Sequence, residues 1–209
     1  MFTSPPTTLL SLDPGTKNFG YAVIRFDSRN KIEVLQSGRL FKTVDRLNMG
    51  VIDQVERYSQ SIQDLVKTHS VGLVVAERYM SRRMGGTTIE CVNAMLGILM
   101  EVCRRFKLRL RLIPASQWKN EINRHQPGVL EKSYAQGKAI QITDHTIDAV
   151  FIALYGRSIA LKKKAFTGVT PEGVIGAISK YGVVDIGEKS VPARKVRKRG
   201  GVRKRRLHV

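Results

Sequence analysis

Two acidic residues stand where predicted core strands end. Asp13 follows the apolar run at residues 9–12 and precedes a Pro-Gly pair that turns the chain, while Glu77 ends an uninterrupted apolar run at residues 71–76. Asp13 alone could simply start a turn. A second unpaired carboxylate at the end of a buried strand would be costly, however. Because open α/β sheets build their sites at the carboxyl ends of strands, the pair predicts a catalytic or ligand-binding centre.

A third acidic position lies on a predicted helix at residues 144–161. Residues three or four apart share a helix face, so Asp148 can point in the same direction as either Asp144 or His145. The preference for acids in a first helical turn accounts for Asp144. It does not account for Asp148, which is followed by apolar residues. We therefore expect Asp148 to join the other two carboxylates, with either neighbour as its helix partner.

Three converging carboxylates favour a metal site. Without partners they would repel one another and raise each other's pKa, and a divalent cation removes this conflict. Oxygen ligands favour Mg²⁺ or Mn²⁺ over zinc, and a histidine favours tolerance of Mn²⁺. Two such ions about 4 Å apart can activate water and stabilise the leaving oxygen in phosphodiester cleavage. We expect two Mg²⁺ ions, replaceable by Mn²⁺, held by Asp13, Glu77 and Asp148 with His145 or Asp144.

Hydrophobic periodicity predicts the elements that position these residues. The predicted strands lie at residues 9–12, 21–26, 32–35, 71–76 and 108–113, and the main helices at 45–69, 88–106 and 144–161, with shorter helices capped by Ser116 and Thr170. The last strand alternates Leu with Arg109 and Arg111, which predicts one basic face. Residues 125–137 are predicted to be loop-rich. This order of elements predicts an α/β fold, a mixed sheet flanked by helices.

The charge predicts a polyanionic partner. Thirty-six Lys and Arg against 17 Asp and Glu give a net charge of +19, an excess that nucleic acid normally offsets. Residues 189–209 contain ten Lys and Arg and no acid, so they supply about half of it. We expect a disordered DNA-binding tail over 188–209. Its basic side chains include Arg197, Lys198, Arg199, Arg203, Lys204, Arg205 and Arg206.

Other features of the sequence limit the class of protein and its cellular location. The 42% hydrophobic content suffices for a packed core, and the two cysteines offer neither a metal knuckle nor a disulfide framework. No stretch predicts a signal peptide or membrane span. We expect a protein of the cytoplasm of a bacterium or phage-infected cell, with no membrane partner and an organelle as the open alternative. The predicted divisions are a leader (1–8), a catalytic domain (9–160), a small extension (161–187) and the tail (188–209).

Three segments resemble the motifs of RuvC-type Holliday junction resolvases. Residues 12–23 (LDPGTKNFGYAV) resemble the first motif, residues 74–79 (VVAERY) the second, and residues 145–149 (HTIDA) the third, in the variant with histidine before the last aspartate. The resemblance covers residues 9–156 and favours His145 as the fourth site residue. It implies a ribonuclease H-like fold with a five-stranded sheet, a homodimer, and paired nicks of a four-way junction by Mg²⁺-assisted hydrolysis.

The resemblance also implies where DNA would bind. The loop after the second acid carries a wedge side chain in that family, and Met80 stands where bacterial members often have phenylalanine. The residues assigned to DNA on these grounds are Lys17, Arg78, Tyr79, Met80, Arg82 and Arg83, with Lys119 and Lys132 as phosphate-binding lysines. Trp118 is interpreted as a core residue that anchors its helix, with stacking on a base as the alternative.

The favoured function is therefore an endonuclease that resolves four-way DNA junctions. Two alternatives remain. A nuclease of the same fold could act on other branched DNA, RNA or RNA–DNA hybrid, since one fold supports many substrates. A non-catalytic nucleic-acid-binding or packaging protein would use the basic tail alone, and acids at all three predicted metal positions argue against it.

Overall fold

The chain folds around one mixed β-sheet in a computed structural model. The structure describes residues 8–14, 19–26, 32–40, 51–78, 86–161, 166, 168–181, 183 and 186. The strands are β1 (Thr8–Pro14), β2 (Phe19–Phe26), β3 (Ile32–Arg39), β4 (Leu73–Arg78) and β5 (Arg109–Pro114). Their order is β3-β2-β1-β4-β5, with β2 antiparallel to both of its neighbours and with β4 and β5 parallel to β1. The predicted five-stranded α/β sheet is confirmed.

Helices cover both faces of the sheet. They are α1 (Val51–Thr68), α2 (Gly86–Arg105), α3 (Ala115–His125), α4 (Val129–Ala139), α5 (Asp144–Leu161) and α6 (Pro171–Tyr181). Successive strand residues point to opposite faces, so Leu9 joins a core with α3 to α6 and Leu10 joins a core with α1 and α2. None of the described helices is long and apolar enough to cross a membrane.

One predicted loop is a helix. Residues 125–137 contain proline and glycine, which favour a loop, yet α4 begins at Val129. Gly128, immediately before it, has φ of 75°, a left-handed conformation that glycine adopts at no steric cost. Val129 and Leu130 are buried in the core. Tertiary burial of these side chains stabilises a helix that composition does not predict.

The two predicted helix caps differ in outcome. The prediction for Ser116 is wrong: α3 begins at Ala115, directly after Pro114, and no side chain caps it. The prediction for Thr170 is confirmed, because the Gly173 backbone N–H donates to Thr170 Oγ1 at 3.1 Å. The proline at the first position of α6 leaves no unsatisfied N–H there.

The basic strand lies at one edge of the sheet. Arg109 and Arg111 of β5 are exposed, which confirms the predicted basic face. Ile113, at the end of the strand, is buried in the same core cluster as Trp118 of α3. This packing fixes the start of α3 close to the end of β4, where Glu77 lies.

The segment after α5 packs onto the same core as the sheet. Phe166, Val174 and Ile178 are buried in the cluster that also contains the buried face of α5, and α6 packs against α4 and β3. Further along, the Ile186 backbone N–H donates to the carbonyl of Arg39 at 2.8 Å. The described part of residues 161–187 therefore packs against α4 and against β3 at the edge of the sheet.

Candidate active site

The first two acids lie side by side at the carboxyl ends of neighbouring parallel strands. The register of β1 and β4 pairs Leu12 with Ala76, so the next residues along the two strands are Asp13 and Glu77. Asp13 is 5% exposed. The pairing of β1 with β4 ends at Leu12 and Ala76, so the two acids follow directly after the last paired residues of these neighbouring strands.

Close packing brings the amino-terminal end of α5 onto the end of β1. Gly20 of β2, paired with Asp13, has no side chain, and a Cβ there would stand only 2.0 Å from the carbonyl oxygen of His145. Ser11 Oγ donates to the Ala149 carbonyl at 2.6 Å, and Thr146 Oγ1 donates to the Gly38 carbonyl at 3.3 Å. The absence of a side chain at Gly20 and these two hydrogen bonds together fix the position of α5 on the sheet.

This position of α5 brings the His145 side chain into contact with Asp13. His145 Nδ1 donates to Asp13 Oδ2 at 2.6 Å. That hydrogen bond, against the opposing effect of burial, raises the pKa of His145, and the charges of Asp13, Asp148 and Asp144 act in the same direction. Asp144 itself is exposed. Of the two helix partners that spacing allows, His145 is the one in contact with a strand acid, Asp13.

Asp148 lies one turn further along α5 and is 8% exposed. Lys119 Nζ donates to its Oδ2 at 3.2 Å, and the Tyr134 hydroxyl donates to its Oδ1. Burial and the nearby charge of Asp13 raise its pKa to about 6, although Lys119 and Tyr134 act to lower it. The carboxylate is thus buried, doubly hydrogen-bonded and within the field of another acid.

Glu77 is held by the buried tryptophan of α3. Trp118 Nε1 donates to Glu77 Oε2 at 3.0 Å. Burial first, and then the charges of Asp13 and Asp148, raise the pKa of Glu77 to about 7, while Trp118 and Lys119 lower it. The three carboxylates therefore form one electrostatically coupled centre, built from β1, β4 and α5.

The donor set of this centre fits a divalent cation. Within the described part of the chain, no three Asp, Glu, His or Cys side chains surround one point closely enough to hold a metal ion. The carboxylates instead accept hydrogen bonds from protein donors, and burial, followed by the charge of Asp13, raises the pKa values of Glu77 and Asp148. Carboxylate oxygens are the ligands that Mg²⁺ prefers. Asp13, Glu77 and Asp148, with His145, are the residues that would hold it.

The other predicted site residues are dispersed. Arg78, at the end of β4, and Lys132 of α4 are exposed, whereas Lys119 lies against Asp148 and over the Trp118 ring, 4.8 Å from its centroid. Lys17, Tyr79, Met80, Arg82, Arg83 and the whole basic tail lie outside the described residues.

One functional neighbour was missed from the sequence. Tyr134 contacts Asp148, but it falls in the segment predicted as loop. A helical interpretation of α4 would have placed Leu130, Tyr134 and Gly137 along one face. Trp118, predicted as a core anchor, is fully buried and also donates to Glu77.

Comparisons with known proteins identify the family. The model of the family "Crossover junction endodeoxyribonuclease RuvC" matches residues 9–153. The structure is similar to Thermus thermophilus RuvC in complex with Holliday junction substrate, at 15% identity and a TM-score of 0.59, covering 76% of this chain and 98% of that one. It is also similar to the yeast mitochondrial Holliday junction resolvase, at 17% identity and a TM-score of 0.51, with 72% and 78% covered. No curated protein matches the chain. Because the family model spans well over half of the sequence, the chain belongs to the RuvC family of crossover junction endodeoxyribonucleases.

Proposed function

We propose that this protein resolves four-way DNA junctions by divalent-metal-dependent hydrolysis, cutting one phosphodiester bond in each of two strands. The observation that carries the proposal is the convergence of Asp13, Glu77 and Asp148 at one end of the sheet in a RuvC-family chain. Burial and the charge of Asp13 raise the pKa values of Glu77 and Asp148, and a bound cation would favour the charged form of both carboxylates. Mg²⁺ is the proposed cofactor, two ions in each site, with Mn²⁺ able to replace it.

The side chains of the centre have separate tasks. When bound, a pair of cations supplies activation of the attacking water and stabilisation of the leaving oxygen. Asp13 and Glu77 bind from the strand side and Asp148 from the helix side. His145 Nδ1 is engaged with Asp13, which leaves Nε2 as the ring nitrogen that can ligate a cation. Lys119 places a positive charge beside the acids, where a scissile phosphate would be attracted.

The substrate assignment rests on family membership and charge. The net charge of +19 suits a phosphate-rich partner, and the similar Thermus thermophilus structure holds Holliday junction substrate. We assign the phosphate contacts near the site to Arg78, Lys119 and Lys132. Paired nicks require two sites, and the part of the chain that the structure describes carries one acidic centre, so we propose a homodimer.

A panel of labelled substrates tests this function. The protein is incubated with Mg²⁺ and a four-way junction, linear duplex, RNA–DNA hybrid or single strand, alongside Asp13→Asn. We expect symmetric junction nicks that the variant loses while it still binds the junction. Equal cutting of hybrid and junction would overturn the substrate assignment. Junction binding without any metal-dependent cutting would indicate a packaging protein instead.

A further inference from the structure

We propose that Trp118 and Tyr134 are positioning residues, two uncharged donors that hold Glu77 and Asp148 in the orientation in which they bind the cation. This inference rests on the proposed function, because it assumes that the acidic centre is a metal site. The two donors come from different helices, α3 and α4, and each donates to a different carboxylate.

Trp118 is placed by burial and oriented by its polar atom. Its side chain is 0% exposed and belongs to the core cluster that contains Ile113 and Ile122. A buried indole N–H needs an acceptor, and Nε1 finds one in Glu77 Oε2 at 3.0 Å. An apolar residue would fill the same space without fixing the carboxylate, so the choice of tryptophan links the core to the site.

Tyr134 reaches Asp148 because α4 packs closely against α5. Gly137, one turn after Tyr134, lies so near Ile147 that a Cβ there would stand 2.5 Å from Ile147 Cδ1. Burial, and then the charge of Asp148, raise the pKa of Tyr134 far above its usual value. A phenol hydroxyl carries its proton at neutral pH, so Tyr134 donates to the Asp148 carboxylate.

The absence of charge on these two donors matters for a metal site. Lys119 also donates to Asp148, but its ammonium competes with a cation for the same carboxylate. Indole and phenol donors restrict the rotation of Glu77 and Asp148 without adding positive charge. A carboxylate has about four lone-pair positions on its two oxygens, so one accepted hydrogen bond leaves others for a metal. Such outer partners of ligands typically contribute 10- to 100-fold to metal affinity or activity.

The test uses Trp118→Phe and Tyr134→Phe in the full chain, with Mn²⁺ as the probe. Isothermal titration measures Mn²⁺ affinity, and single-turnover junction cleavage is followed across metal concentrations. We expect each variant to bind Mn²⁺ about 10-fold or more weakly. The metal concentration for half-maximal cleavage should rise in parallel, with a smaller change in the rate at saturating metal. Junction binding in EDTA should not change.

Tyr155→Phe is the matched control. Tyr155 lies on α5, two turns beyond Asp148, and stacks on Phe166, so loss of its hydroxyl should leave Mn²⁺ affinity unchanged. Tyr134→Phe removes a single oxygen and keeps the ring, so it decides the question if Trp118→Phe, which opens space in the core, fails to fold. Folded Tyr134→Phe with the Mn²⁺ affinity of the parent would overturn the inference.

The outcomes also separate this inference from the proposed function. If the parent binds Mn²⁺ more tightly than both variants yet cuts no junction, the positioning role stands and the resolvase function fails. If the parent cuts junctions and the variants match it in Mn²⁺ affinity and metal dependence, the function stands and the positioning role fails. A parent that binds no Mn²⁺ at millimolar concentrations contradicts both.

Discussion

Replacing Gly20 with alanine should displace the helix that carries half of the acidic centre. The new Cβ would lie 2.0 Å from the His145 carbonyl oxygen, and ordinary contact begins at 3.4 Å, so the two atoms must separate by about 1.4 Å. The backbone fixes the position of the Cβ, and the His145 oxygen is itself a backbone atom, so a rotamer change can move neither. A shift of that size lengthens the 2.6 Å bond between His145 and Asp13 beyond hydrogen-bonding range.

The expected losses follow from this displacement. Overpacking costs about 1–3 kcal/mol, and each hydrogen bond lost adds about 1 kcal/mol. The bonds at risk are His145 to Asp13 and Ser11 to Ala149. We expect Gly20→Ala to lower the free energy of unfolding by roughly 3–5 kcal/mol. A misplacement of about 1 Å at a catalytic centre can reduce the rate about 100-fold.

Urea unfolding and single-turnover junction cleavage measure these effects. The control is Gly176→Ala in α6, where an added Cβ meets nothing within 4 Å. Alanine is favoured over glycine inside helices by about 0.5–1 kcal/mol, so the control should be slightly stabilised with unchanged cleavage. If Gly20→Ala keeps both the stability and the cleavage rate of the parent, α5 does not pack on β2 as described. The close approach at Gly20 is then not what positions His145 beside Asp13.

Three further predictions concern charge. In metal-free protein the free energy of unfolding should fall as pH rises from about 4.5 to about 7. Folding raises the pKa of Glu77 to about 7 and that of Asp148 to about 6, so the folded state binds more protons than the unfolded state in this range. Urea titrations at several pH values check this, and a free energy of unfolding that rises with pH over that window would contradict it. Lys119→Met should raise both pKa values further, since the ammonium lowers them, and carboxyl NMR titration that shows no change would refute the pairing. Truncation after Gly187 should reduce the log–log salt slope of junction binding by about 0.9 for each lost phosphate contact while preserving junction preference, and loss of that preference would show that the tail recognises branching.

The strands and the strand acids could be predicted because local pattern and burial agree there. Apolar runs that end at Asp13 and Glu77 form β1 and β4, and their parallel pairing follows from the topology of α/β sheets. Helix α4 could not be predicted, since Pro127 and Gly128 directly before it and Gly137 within it favour a loop. Gly137 allows α4 to pack closely against Ile147 of α5, a tertiary contact that composition does not reveal.

The helix partner of the site illustrates a second limit. Spacing alone allows Asp144 or His145, because both share a face with Asp148. The choice is made by the seating of α5 on β2, which turns His145 towards Asp13 and leaves Asp144 exposed. In the same way, a single sequence identifies Trp118 as a core residue. Only the packing of α3 beside β4 shows that its N–H meets Glu77.

Single-turnover cleavage of a four-way junction in saturating Mg²⁺, by the parent chain and by Glu77→Gln, decides whether Asp13, Glu77 and Asp148 form the nuclease site. Glu77→Gln keeps the size of the side chain and its acceptor for Trp118 but removes the negative charge. We expect paired nicks by the parent, and a rate at least about 100-fold lower in the variant with junction affinity retained. Cleavage by Glu77→Gln at the parent rate would show that the acidic centre is not the nuclease site.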